Sequence, residues 1–464
     1  MNANAEIDLQ TLEPDPEAMV VANLLEPRTD VESKLNNSFL NQFSLLAILS
    51  LGAQGVFFAT QIVIANVLGS YKFGMIAYGI AIGNYGQVAV KYGLDRTMAR
   101  DLIHHPENTS EIITGSYLLR IALFAFFLVY LVIAQVTHLD TGLSLGVSLV
   151  AATWAMKSLD LETVYDAWVQ MRRHSVYNVV QRGASVLLVL PLLFFLRKRV
   201  TVTEIGLVYL FSTGLYLWLQ HRWAYAYSPI HTTKARVWVM AKHMLQSNGW
   251  LAVSSVIGLS LTTITQVILQ KLQGPRELGI YAAGWQFAMA AVIIINCLQR
   301  IGNPVVALST RAETSHKTAR KMLLKYCLSM LLLTGAIGLG MVLFAHPLMK
   351  VCFSKDYASG VSIVRILGVY CFCFGICSMA SQYVLALHLL REYFLTCLFG
   401  GIVSVGSSFY LIHRHGIVGA AWAIVWSQIA ATVPLIWLVL RNLPDKAGTH
   451  LRHQRNMSLG PQES

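Results

Sequence analysis

Gln61-Ile-Val-Ile-Ala-Asn-Val-Leu-Gly69-Ser-Tyr-Lys-Phe-Gly74-Met-Ile-Ala77-Tyr-Gly79 returns later in the chain as Gln266-Val-Ile-Leu-Gln-Lys-Leu-Gln-Gly274-Pro-Arg-Glu-Leu-Gly279-Ile-Tyr-Ala282-Ala-Gly284. The two stretches align without a gap at a constant offset of 205 positions, the interval from Gly74 to Gly279. A glutamine, three glycines and an alanine keep register. At the same offset Leu118-Leu119-Arg120 recurs as Leu323-Leu324-Lys325, so a basic residue falls early in each of two hydrophobic runs. An internal repeat of this size in a hydrophobic chain reads as two lobes around a central pathway.

The rest of the composition places those lobes in a bilayer. The 464 residues are 55% hydrophobic and only 12% charged, where a soluble domain carries about 25% charged residues. Apolar stretches recur between 35 and 440, and a crossing needs about 20 such residues. They predict twelve helices in an all-α integral membrane fold: an N-lobe over 35–222, a linker over 223–242 and a C-lobe over 243–440. An even number of crossings between the repeats preserves orientation, so the lobes should be parallel, related by an axis along the membrane normal. The fourth and fifth runs, 141–156 and 183–196, reach helical length only by admitting Lys157, Asp160, Glu162 and Arg182.

The net charge of +12 fits the positive-inside rule and needs no nucleic acid. It predicts a multi-pass protein of the cell (inner) membrane with both termini cytoplasmic, against which only Arg197-Lys198-Arg199 in an outer loop stands out. Residues 1–34 read as an acidic cytoplasmic tail with no cleavable signal, and 441–464 as a polar, mildly basic one. The seven cysteines imply no disulfide framework. In the run Cys371-Phe-Cys373-Phe-Gly-Ile-Cys377, helical spacing points Cys371 and Cys373 to different faces, which favours packing by small soft residues over a metal site. No cofactor is expected. Glycines inside the predicted helices, with Pro191 and Pro434, mark close packing or bends.

Four further segments carry a resemblance. They are Val67-Leu-Gly-Ser-Tyr-Lys-Phe-Gly74, Tyr92-Gly-Leu-Asp-Arg-Thr-Met-Ala-Arg100, Asp166-Ala-Trp-Val-Gln-Met-Arg-Arg173 and His415-Gly-Ile-Val-Gly-Ala-Ala-Trp422. Over about 40–440 the chain resembles the polysaccharide transporters, or lipid-linked oligosaccharide flippases of the O-antigen kind. Their superfamily also contains the multidrug and toxin extruders. The acidic N-terminal tail and the Arg-Lys-Arg loop depart from that pattern. The resemblance implies alternating access that carries a glycan on a polyprenyl diphosphate from the cytoplasmic to the outer leaflet, for cell-surface polysaccharide synthesis. The implied partners are that lipid, the surrounding membrane lipids and other polysaccharide-assembly proteins.

Charges within crossings are where such a function would show, since each is costly without water or a partner. Arg120 and its repeat mate Lys325 have two readings: cavity cations that attract diphosphate, or side chains that snorkel to head groups. Arg182 and Arg365 are further candidates for the cavity. Lys157 and Asp160 share a helical face at i, i+3, and Glu162 and Asp166 share one at i, i+4. These four read either as a coupling site or as an ion-pair network that locks the fourth and fifth helices. Asp95, Arg96 and Arg100 read as a cytoplasmic gate or as plain topology determinants. A drug-extruder-like antiporter is the alternative function. An enzyme is not expected, because no long loop holds a catalytic constellation.

Overall fold

The computed structural model describes residues 29–104, 108–167, 171–196, 199–227, 234–309, 316–387 and 389–442. The chain divides into two units, 1–48 and 49–464. In the first, helix begins at Thr29, inside the tail predicted over 1–34, and residues 1–28 of that tail lie outside the described residues. So does the tail over 441–464, which lies outside from 443 onward.

Every regular element among the described residues is helical. In chain order they are α1 (Thr29–Lys91), α2 (Leu94–His104), α3 (Thr109–Val136), α4 (Leu145–Met156), α5 (Glu162–Ala167) and α6 (Met171–Leu196). There follow α7 (Val202–Tyr227), α8 (Lys234–Gln273), α9 (Pro275–Ser309), α10 (His316–Cys352), α11 (Gly360–Ala386) and α12 (Leu390–Arg441). The predicted linker over 223–242 is shorter than expected, since α7 runs to Tyr227 and α8 starts at Lys234.

Nine helices are long and apolar enough to cross a membrane among the described residues, where the sequence predicts twelve. The difference has two physical sources. Helices α1 and α12 each change direction inside one continuous assignment, at Gly69 (φ 76°, ψ 169°) and Gly416 (φ 56°, ψ −131°). The fourth predicted crossing is broken: α4 has 12 residues, about 18 Å at 1.5 Å per residue, against a hydrocarbon core of about 30 Å. It ends in a 3₁₀ turn over Lys157–Leu159 and an extended Asp160 (φ −65°, ψ 158°) before α5 begins.

The repeated sequence is where the two halves of the chain meet. Gly69 and Gly274, repeat mates, both have positive φ, 76° and 89°, and each turns the chain from one long arm into the next. Beyond those turns α1 and α9 cross backbone to backbone. A Cβ on Gly74 would fall on the carbonyl oxygen of Pro275 and 2.8 Å from the Gly279 nitrogen. A Cβ on Gly279 would fall on the carbonyl oxygen of Ser70 and 3.0 Å from the Gly74 nitrogen. The contact is reciprocal, and Ser70 and Pro275 are themselves repeat mates. Only glycine permits this approach.

Polar ties reinforce the same end. The Asn66 amide donates to the Cys352 carbonyl at 2.8 Å and accepts from the Ser354 amide at 2.8 Å, while the Tyr357 hydroxyl donates to the Ala65 carbonyl at 2.9 Å. Beneath lies a single apolar core drawn from both halves, with Ile64, Ile76, Tyr78, Tyr281, Ala288 and Ile363 almost fully buried. This end of the bundle is a seal.

Candidate functional site

Away from that seal the halves separate around a cavity of about 670 Å³, within the roughly 300–1,000 Å³ of ordinary ligand sites. Its walls come from both sides. The two arms of α1 supply Gln54, Phe57, Asn84 and Gln87; α8 supplies Thr262, Thr263 and Gln266; α9 supplies Trp285 and Gln286. The broken fourth crossing adds Trp154 and Lys157, and α6 adds Arg182. No Asp or Glu lines the cavity among the described residues.

Both cations are held by rings rather than by acids. Lys157 Nζ lies 3.8 Å from the centroid of Trp154, and Arg182 Cζ lies 4.4 Å from that of Phe57. Such contacts are worth about 0.5–2 kcal/mol yet leave the ammonium and guanidinium N–H groups available. Among the described residues neither side chain has a salt-bridge partner. Polar ladders hold the wall behind Arg182 in place: Gln181 donates to Thr213 at 3.1 Å, Ser185 to Ser212 at 2.9 Å, and Gln61 to Tyr209 at 2.9 Å. The repeat mates Gln61 and Gln266 thus part company, one buried in this ladder and the other on the cavity wall.

Of the sequence-predicted residues, Arg182 lines the cavity. Lys157, expected to share a helical face with Asp160, lines it too. The α-helix ends at Met156 and a 3₁₀ turn carries the chain from Lys157 to Asp160, whose backbone amide donates to the Lys157 carbonyl at 3.2 Å, while the Lys157 ammonium lies against the Trp154 ring.

Arg120 lies elsewhere, 2% exposed, in a structural role. One guanidinium nitrogen donates to the carbonyls of Ser158 at 3.0 Å and Asp160 at 2.9 Å, and the other to Asp95 Oδ1 at 2.8 Å. The break in the fourth crossing leaves carbonyls without helical partners, and irregular backbone at membrane depth is tolerated only when protein satisfies it. Arg120 supplies those donors. Lys91 completes the cluster, 2.7 Å from Asp95 and 3.9 Å from the buried Asp160, and Thr163 donates to Asp95 at 3.2 Å.

The remaining candidates do not converge on the cavity. Lys325 and Arg365 are exposed on α10 and α11. Glu162 lies 3.7 Å from His174. Arg96 and Arg100 sit on α2, and Asp166 on α5, but their side chains lie outside the described residues.

Replacing Arg120 by methionine should therefore destabilise the fold without touching the cavity. About 3 kcal/mol is expected, the low end for breaking a buried pair because Asp95 keeps a third of its side-chain surface exposed. Thermal melting in detergent checks this, and an unchanged midpoint would refute the role. Burial raises the Asp95 carboxyl, but Lys91 and Arg120 outweigh it and hold the group below its ordinary value. Its contribution is complete above the usual carboxylate range near 4, and is lost as pH falls through the lowered value.

The fold is that of a known class of membrane transporters. An inward-facing multidrug resistance MATE family transporter of the MOP superfamily superposes with a TM-score of 0.68 at 15% identity, over 87% of this chain and 99% of that one. The outward-facing conformation of such a transporter scores 0.58, covering 88% and 96% at 15% identity. The lipid II flippase MurJ, in an inward closed conformation, scores 0.62 at 11% identity, over 90% of this chain and 94% of that one. No curated protein matches the chain significantly in sequence. The sequence of residues 39–301, more than half of the chain, matches the polysaccharide biosynthesis protein family, and the chain belongs to that family.

Proposed function

We propose that this protein carries a polyprenyl-diphosphate-linked oligosaccharide across the cell membrane by alternating access, as a carrier and not an enzyme. The observation that carries the proposal is the pair of acid-free cations, Lys157 and Arg182, on the wall of a 670 Å³ cavity between the two halves. Moving a diphosphate through hydrocarbon unaided would cost tens of kcal/mol on a Born estimate. Two cations and a ring of glutamine and asparagine amides replace its hydration, while the polyprenyl tail stays in the bilayer. Membership of the polysaccharide biosynthesis family supports the substrate class.

In this reading the halves are two parallel six-helix lobes, and the broken and bent helices complete twelve crossings. Both termini are cytoplasmic and the glycine seal faces outward, so the described conformation is inward-facing. The positive-inside bias of the sequence and the higher similarity to an inward-facing relative support that orientation. Asp95, with Arg96 and Arg100, sits at the cytoplasmic end.

The antiporter alternative has no observation in its favour at the cavity, since an organic cation would meet two positive charges and no carboxylate. Deleting the gene should make the lipid-linked glycan accumulate in the cytoplasmic leaflet, measured by its protection from an impermeant glycosidase added outside. Normal delivery in the absence of another carrier would overturn the proposal, as would efflux of cationic dyes from proteoliposomes at rates typical of a drug pump.

A further inference from the structure

A second cavity, of about 460 Å³, lies wholly within the C-terminal half, between α8, α9, α11 and α12. Thr262 lines both this cavity and the central one, so the two adjoin across a single turn of α8. Their chemistry differs sharply. None of Asp, Glu, Lys, Arg or His lines the second cavity among the described residues. Its polar groups are instead serine and threonine hydroxyls, the Tyr393 phenol, the thiols of Cys377 and Cys397 and the amides of Gln299 and Gln428, set among the aromatic rings of Trp250, Phe374 and Phe394.

These polar groups point to a ligand rather than to core packing. Ser254 and Ser255 donate to their own helix, to the carbonyls of Trp250 and Leu251 at 2.8 Å each, which leaves oxygen lone pairs to accept from elsewhere. Gly258 faces open space, with nothing within 4 Å of where a side chain would begin.

Each class of occupant can be weighed by what it would need. A lipid tail would gain nothing from two amides and a row of hydroxyls, and a cationic drug or metal ion would find no carboxylate. A diphosphate would find no cation. A neutral polyol suits all of it: its hydroxyls need donors and acceptors in equal measure, and its apolar ring faces stack on aromatic side chains.

From these observations we infer that the C-terminal cavity is a glycan subsite, which takes sugar residues of the head group while Lys157 and Arg182 hold the diphosphate. The inference rests on the flippase reading above. It divides recognition in two: the charged site reads the anchor common to all such lipids, and the neutral site reads the sugar.

The test uses the full-length protein and two substitutions in separate variants: Gln428→Leu deletes an amide, and Gly258→Leu fills open space. Two lipids are measured on each. The first is the glycan-carrying lipid that copurifies with the protein from its native membrane, quantified by mass spectrometry. The second is bare polyprenyl diphosphate bound in proteoliposomes. Both variants should lose the copurifying glycan lipid about tenfold and bind bare polyprenyl diphosphate like the wild type, which also shows that they are folded. Lys157→Met should lose both. Full retention of the glycan lipid by both variants, or equal loss of both lipids, would overturn the subsite and leave the carrier reading intact. Absence of both lipids from the wild type would overturn the carrier reading and the subsite together.

Discussion

Replacing Lys157 and Arg182 together by methionine should slow transfer of the lipid-linked glycan by more than about a hundredfold. The estimate follows from the cavity. A charge-assisted hydrogen bond contributes about 1.5–3 kcal/mol, two cations contribute about 3–6, and each 1.4 kcal/mol is a factor of ten. Those contacts matter most when the diphosphate is furthest from water, so the loss falls on the rate as well as on affinity. Methionine keeps a flexible apolar stem beside Trp154 and Phe57 without the charge, which limits damage to the packing there. The exchange Lys157→Arg with Arg182→Lys keeps both charges and should retain most activity. Transfer is measured in proteoliposomes, as the fraction of lipid-linked glycan that becomes accessible to an impermeant glycosidase. Rates within twofold of wild type for the methionine pair would show that the anion is held elsewhere.

The helical membrane fold was legible because hydrophobicity is additive along a chain and needs no knowledge of packing. The bends at Gly69 and Gly416 were legible as well, since the apolar runs that end at 69 and 413 give way there to the next ones. The site was legible only in part. Arg182 was found because a charge in an apolar run has few explanations. Lys157 stands out for the same reason, but the sequence does not show that the α-helix gives way to a 3₁₀ turn after Met156. Its true signal was Trp154, three residues earlier, whose ring holds the ammonium. Arg120 looks the same in sequence whether it faces a substrate or repairs a broken helix. What separates the two is the end of α4, a feature with no local marker beyond the polarity of the residues after it. Glutamines and asparagines such as Gln87, Asn84 and Gln286 went unremarked because neutral amides do not stand out from a hydropathy profile, although they supply much of the polar wall.

The repeat makes the last prediction, and its effect should be as large. Gly74→Ala should abolish transport by preventing the seal from forming, although alanine is the better helix former by about 1 kcal/mol. The added methyl would coincide with the Pro275 carbonyl, a backbone atom that cannot rotate away, so α1 and α9 must separate. Overpacking of a tight contact costs about 1–3 kcal/mol, and this clash belongs at the upper end. That cost falls only on the conformation in which the seal is closed. It therefore shifts the balance toward the opposite conformation by up to about 150-fold, at a factor of ten for each 1.4 kcal/mol. Because the contact is reciprocal, Gly279→Ala should act the same way through the Ser70 carbonyl. Combining the two should add little, since one substitution already parts the helices. The readout is labelling of a Gln286→Cys cavity variant, in a background lacking the seven native cysteines, by an impermeant maleimide added on the seal side. Labelling should rise several-fold in either alanine variant while transport falls to background. Unchanged labelling with normal transport would mean that the two glycines meet without gating anything.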